Sequence, residues 1–264
     1  MPQIAPTAWY TGRVWSRNGL SHPEFDRLGG KLMHLATEPP MRASKIVGGP
    51  TLEALLLARH LVIDALLEEA IEAGKVTQVL EVASGLSPRG WRFTEAHPDL
   101  VYVEADLPDM AAEKREALGR IGRPPTHRVI DFDALSDDMP LEEFDTSGGL
   151  AIITEGLLSY LPREAVLTLW ARFAGLIGTF PTGVYLSDLH VDEDVFAPVA
   201  RAFEAALSVF VQTRVSVHFD TAAEAERALL DAGFGSAKVF PAAEHPAAPQ
   251  EPGAGRVRVV RARP

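Results

Sequence analysis

The stretch VTQVLEVASGLSPRG, residues 76–90, is apolar up to Val82 and then breaks into Ala83, Ser84 and Gly85, with Ser87 and Pro88 close behind. Small residues at such a break let the backbone approach a ligand. A helix starting near Pro88 would also turn unpaired N–H groups and a positive dipole end toward it. Asp106 stands 21 positions beyond Gly85, at the end of the run YVEAD. An acid about 20 residues past a glycine turn can accept hydrogen bonds from two ribose hydroxyls. Glu104 shares the face of Asp106 in an extended strand, and Leu107 follows directly. A further apolar run ends in Asp131, Phe132 and Asp133, whose carboxylates can accept from an exocyclic amine. Another, LAIIT, ends against Glu155 and Gly156; a carboxylate at that rim needs a partner, which a cationic ligand can supply. Each feature also has a plain structural reading, as an ordinary strand-to-helix turn or a solvated strand cap.

These residues need a scaffold that brings strand ends together. Strand-like runs occur at 77–82, 100–105, 127–130, 150–154 and 183–188. Helical spacing separates several of them: Val166, Leu169, Trp170 and Phe173 fall on one face behind Pro162, and Val195, Val199, Phe203, Leu207 and Phe210 recur in 192–210. Residues 221–224, TAAE, form a capping-box pattern, with Gly233 placed to end the helix. This alternation predicts an α/β fold: a mainly parallel sheet with helices on both faces. Two final runs, 236–240 and 256–262, have no helix between them and read as antiparallel; the proline-rich stretch 241–254 reads as an exposed loop. A helix is expected over 51–74, ending at Gly74. Residues 7–25 read as irregular and aromatic-rich, with Trp9 and Trp15 able either to stack on an acceptor or to fix the segment to the domain.

The chain has 264 residues, 47% hydrophobic, with a net charge of −11 and no cysteine. Disulfides, thiolate metal sites and cysteine nucleophiles are thereby excluded. No metal is expected. The acidic balance, without a Lys/Arg cluster, argues against a nucleic-acid partner and favours a small molecule. No apolar run reaches membrane-spanning length, and the first residues lack the pattern of a signal peptide, so no membrane partner and a cytoplasmic location are expected.

A dinucleotide site calls for G-x-G-x-x-G, and here Ala83 and Ser87 occupy two of the glycine positions. A ligand with adenine and ribose but no diphosphate relaxes that demand. S-adenosylmethionine fits better than NAD, which leaves an NAD-linked oxidoreductase as a disfavoured alternative.

ARHLVIDALL (58–67), VLEVASGLSPRGWRF (79–93), YVEADLP (102–108) followed by Lys114, and ITEGLLSYLP (153–162) together resemble the leucine carboxyl methyltransferase family and its bacterial relatives. The resemblance spans roughly residues 45–190. It implies a Rossmann-like, seven-stranded S-adenosylmethionine-dependent methyltransferase domain, expected over 51–264, with its last strand antiparallel; the run WYTGRVWSRNGLSHP (9–23) itself reads as a lid or acceptor wall, so residues 1–50 are expected as an N-terminal helical and aromatic lid. It implies roles as well. Arg59 pairs with the cofactor carboxylate, and Ala83, Ser84 and Gly85 line the methionine portion. Glu81 is the acid often found ahead of the turn. Asp106 holds the ribose, Asp133 with Phe132 lies at the adenine, Glu155 and Gly156 sit near the amino group and sulfonium, and Tyr160 faces the site.

A carboxylate acceptor of a methyl group needs no base, whereas a hydroxyl usually does. The candidates are His190, Tyr10 and His22, with Asp188 able to orient a nearby histidine. Small-molecule O-methylation is the leading expectation. A protein that binds the sulfonium nucleoside without methylating remains open.

Overall fold

The structure, a computed structural model, describes residues 6–26, 28–32, 34–35, 38, 51–192 and 216–264. Seven strands form one sheet: β1 (Gln78–Val82), β2 (Val101–Asp106), β3 (His127–Asp131), β4 (Leu150–Thr154), β5 (Gly183–Leu189), β6 (Ser236–Pro241) and β7 (Arg258–Arg263). Their order is β3-β2-β1-β4-β5-β7-β6. The pairs from β3 to β5 are parallel, and β7 runs antiparallel to both β5 and β6. Every strand-like run of the sequence is therefore a strand, and the chain order reverses between β1 and β4. Ligands of open parallel sheets gather at the carboxyl ends of strands beside such a reversal.

α2 (Leu52–Glu72), α3 (Arg89–Ala96) and α4 (Pro108–Ile121) cover one face; α5 (Arg163–Ile177) and α6 (Ala222–Asp231) cover the other. Alternation along β1 sends Leu80 and Val82 into the α5–α6 core and Val79 into the α2 core. Thr51 caps α2, its hydroxyl accepting from Ala54 N–H at 3.1 Å. Thr221 caps α6 as read, its Oγ1 accepting from Glu224 N–H, while Glu224 Oε2 reaches one residue past the cap to accept from Asp220 N–H. The apolar periodicity beyond Asp192 lies outside the described residues.

Two expectations are corrected. The N-terminal segment is not irregular, because Pro6–Arg17 form helix α1. Tyr10, Val14 and Trp15 pack on Leu56 of α2, while Ala8 and Trp9 pack with Leu86 just past β1. Burial on two sides stabilises a helix whose aromatic and β-branched residues lower its intrinsic propensity. The proline-rich linker is not simply exposed either. Ala242, Ala248 and Ala254 are buried in the α2 core, because small residues spaced along a loop let it lie flat on a helix. No helix among the described residues is long and apolar enough to cross a membrane.

Candidate functional site

At the carboxyl end of β1 the chain turns through two left-handed residues, Ala83 (φ 54°) and Gly85 (φ 50°). Glycine adopts that conformation freely, but alanine does so at a cost of about 1 kcal/mol. Asp106 at the end of β2 fastens the turn. Its Oδ2 accepts from Gly85 N–H at 2.7 Å and its Oδ1 from Leu107 N–H at 2.8 Å. Burial raises the Asp106 pKa above the ordinary aspartate value, although both amides oppose the shift. Between the two left-handed residues, Ser84 is buried, and its hydroxyl has no hydrogen-bond partner among the described residues. A buried hydroxyl without a partner costs about 1–3 kcal/mol, a cost that a ligand's polar group would relieve.

A dense ion network lies beside this turn. Arg89, the first residue of α3, is fully enclosed and reaches Asp64, Glu81 and Glu155, each at 2.5 Å. Glu155 also takes Arg59 Nε at 3.1 Å and lies 2.9 Å from His60 Nδ1. Arg59 continues to Asp188 at 2.8 Å, and the second oxygen of Asp188 accepts from Gly156 N–H at 2.7 Å. Burial would push the Glu155 carboxyl up, but His60, Arg89 and Arg59 hold it well below the ordinary glutamate value. Burial opposes the Arg89 charge too, and Glu81, Asp64 and Glu155 reverse that and raise its pKa. Glu155 therefore finds its cations within the chain. The partner that the sequence reading sought in a cationic ligand is supplied by this network. Sequence reasoning missed Arg89, His60 and Asp64. The available signal was a charged residue inside each of two apolar stretches, Asp64 in LVIDALL and Glu81 in QVLEV, with an arginine just beyond the turn.

Glu104 does not belong to the ledge. It is fully buried beneath α3, 2.6 Å from Lys114 and 2.9 Å from His127. Gly90 explains the fit: a Cβ there would stand 2.7 Å from His127 Nε2 and 2.9 Å from the Glu104 carboxyl. Glu81 is likewise enclosed, sharing its oxygens between Arg89 and the Tyr102 hydroxyl. Both support the turn from below. Asp131 lies exposed at the rim, paired with Arg115 at 2.8 Å. Phe132 is buried in the core, and Asp133 accepts from Leu135 N–H. Leu107 is half exposed beside Asp106.

The candidate catalytic residues separate. Tyr160 is 38% exposed in the short turn after β4, and His190 is half-buried one residue past β5, both at the carboxyl ends of strands. Tyr10 is buried, its ring 6.1 Å from that of His34. His22 accepts from Glu24 N–H and meets Trp91 edge-on. Trp15 is buried and stacked on His60 with ring centroids 4.1 Å apart, so it fixes α1 to the domain.

The sequence model of the leucine carboxyl methyltransferase family matches residues 21–174. The chain belongs to the leucine carboxyl methyltransferase family. A relative from Mycolicibacterium smegmatis, named by inference an S-adenosyl-L-methionine-dependent methyltransferase, is 40% identical over 125 residues, covering 45% of this chain and 41% of its own length. The chain thus spans about two-fifths of that relative. In fold, it is similar to an inferred methyltransferase from Thermobifida fusca (TM-score 0.63, 16% identity, covering 96% of this chain and 93% of that one). An inferred O-methyltransferase from Nostoc punctiforme is also similar (TM-score 0.57, 14% identity, covering 92% and 72%). In this member of the family, the left-handed turn, the buried Ser84 hydroxyl and the Asp106 carboxylate fit a nucleoside with polar groups and no diphosphate.

Proposed function

We propose that the protein binds S-adenosylmethionine on the ledge formed by the ends of β1, β2, β3 and β4, and transfers its methyl group to an oxygen of a small-molecule acceptor. The observation that carries this reading is the Asp106 lock on the Gly85 amide, which sets an acid and a left-handed turn side by side at the chain-order reversal. Asp106 would take the ribose, Ala83 to Gly85 the methionine portion, Asp133 and Phe132 the adenine edge, and Arg59 the carboxylate, with Glu155 and Gly156 beside the amino group. The bound group supplies a methyl already activated on a positively charged sulfur.

The chain's own contribution is orientation and exclusion of water. Glu155 is held ionised by His60, Arg89 and Arg59, so its carboxylate is fixed in place beside the ledge. Ala8 of α1 lies 3.6 Å from the point where a Gly85 Cβ would stand, and Trp15 anchors the same helix on His60. This helix narrows the space above the ledge, which supports a small acceptor and a lid role for the N-terminal segment. The name of the Nostoc neighbour supports oxygen as the acceptor atom. A hydroxyl acceptor would need a proton receiver, a role we assign to His190; its position one residue past β5, at the carboxyl end of the strand, supports this.

Calorimetric titration with S-adenosylmethionine tests the first half of the reading. Mass spectrometry after incubation with panels of phenols, alcohols and carboxylates tests the second. Saturable binding and a product heavier by one methyl are expected. The absence of any binding heat sinks the reading. A nicotinamide cofactor that raises the melting temperature when S-adenosylmethionine does not would replace it with the oxidoreductase alternative.

A further inference from the structure

The ends of the strands opposite the ledge carry a second concave surface. The last turns of α2, the Lys75–Val76 link and the start of β5 enclose a groove of about 430 Å³ whose far wall is the end of β7. Ala70, Ala73 and Val184 give it an apolar floor, and Lys75, Arg261 and Arg263 line its sides. Arg261 and Arg263 share a face of β7 with Val259, which is packed in the α2 core, so both project toward the α2 side.

These cations differ from the ion-paired arginines of the chain. Arg13, Arg92, Arg115, Arg120, Arg128 and Arg163 each have a carboxylate partner. Lys75, Arg261 and Arg263 make no side-chain hydrogen bond or ion pair among the described residues. The sheet register sets Arg261 opposite Lys238 of β6, whose ammonium lies 5.4 Å from the Phe240 ring centroid and outside the groove's lining. Like charges facing across a strand pair are destabilising. Against them the groove holds Glu69, which is 3.6 Å from His245 Nε2, and the carbonyl end of α2, equivalent to about half a negative charge. The positive charge is in clear excess, in a chain whose net charge is −11.

We propose that this groove is a binding site for a small molecule carrying a phosphate or diphosphate group. Two guanidinium forks and one ammonium converge on a cavity of a size suited to a small ligand. Guanidinium groups engage tetrahedral oxyanions through paired N–H donors. A bound dianion would also relieve the repulsion between Arg261 and Lys238. The site lies about 20 Å from the ledge along β5, so it is separate from the nucleoside site.

Inorganic pyrophosphate is the probe, titrated calorimetrically into the full chain at low and at physiological ionic strength. Saturable binding with one site per chain is expected. R261Q/R263Q should weaken it by about tenfold or more, with a melting temperature no lower than the parent's, and R261K should recover part of the loss. D106A, at the ledge, should bind pyrophosphate as the parent does. Binding that is absent, non-saturating, equal in R261Q/R263Q or lost in D106A would overturn the proposal.

Discussion

The two ends of the parallel strands handle charge in opposite ways. At the carboxyl ends, Glu155 and Asp188 are held between Arg59, Arg89 and backbone amides, and Asp106 is fastened to Gly85 and Leu107. At the opposite ends, Lys75, Arg261 and Arg263 face a groove with no such partners among the described residues. One end is arranged in advance, its acids fixed and its turn strained. The other keeps its charge in reserve. Fixed charge suits a site that must align reacting atoms, because no reorganisation is needed at the moment of reaction. Reserved charge suits a site that only holds an ion.

The sharpest way to break the contrast is to remove the centre of the fixed end. Arg89→Leu leaves Asp64, Glu81 and Glu155 buried without their common cation, and a loss of about 3–5 kcal/mol is expected in urea denaturation. A loss below about 1 kcal/mol would mean that the network is not held together by Arg89. Next comes the lock on the turn. Asp106→Ala should weaken S-adenosylmethionine binding by about tenfold or more in calorimetry, since it removes both the acid proposed to hold the ribose and the acceptor for Gly85. Unchanged affinity would detach Asp106 from the ligand.

Acid titration separates the two carboxyl environments. The Glu155 pKa is depressed in the folded chain from its ordinary 4.5. Its contribution to stability is therefore fully present above about 4.5 and is lost as pH falls below that value toward its folded pKa. Asp64 acts in the same direction. Asp106, raised by burial, acts in the opposite one, its contribution fading as pH rises through its folded value. Denaturation midpoints should fall on acidification below about pH 5, and Glu155→Gln should flatten that fall. A slope identical to that of the parent would show that Glu155 is not held ionised by its neighbours. The smallest expected effect is at the strained turn. Ala83→Gly relieves a left-handed alanine and should stabilise the chain by about 1 kcal/mol, offset in part by glycine's extra freedom when unfolded.

Much of the ledge was legible before the structure. Asp106 stood out because its spacing from Gly85 measures one strand–helix–strand unit, a local length that survives in any such sheet. The strands were legible through their apolar runs. Helix α1 was not, since its aromatic and β-branched residues and Gly12 lower its intrinsic helix propensity, and it is held by packing on α2 and the β1 turn. Glu104 was misplaced for a related reason. Alternation correctly set it on the face of Asp106, but whether that face is open or roofed depends on α3, whose glycine lets it settle directly onto the carboxylate.

The sequence by itself determined the strand-and-helix order, the glycine-poor turn and the acids at strand ends, because these depend on local periodicity and short spacings. Only the tertiary structure decided which charges are partners. Arg89 meets Glu155 across 66 positions and Arg59 meets Asp188 across 129, and Lys238 and Arg261 become neighbours only through antiparallel pairing. Electrostatic attraction depends on distance in space and on the burial that removes water from between the charges. Neither quantity is written in the order of residues along the chain.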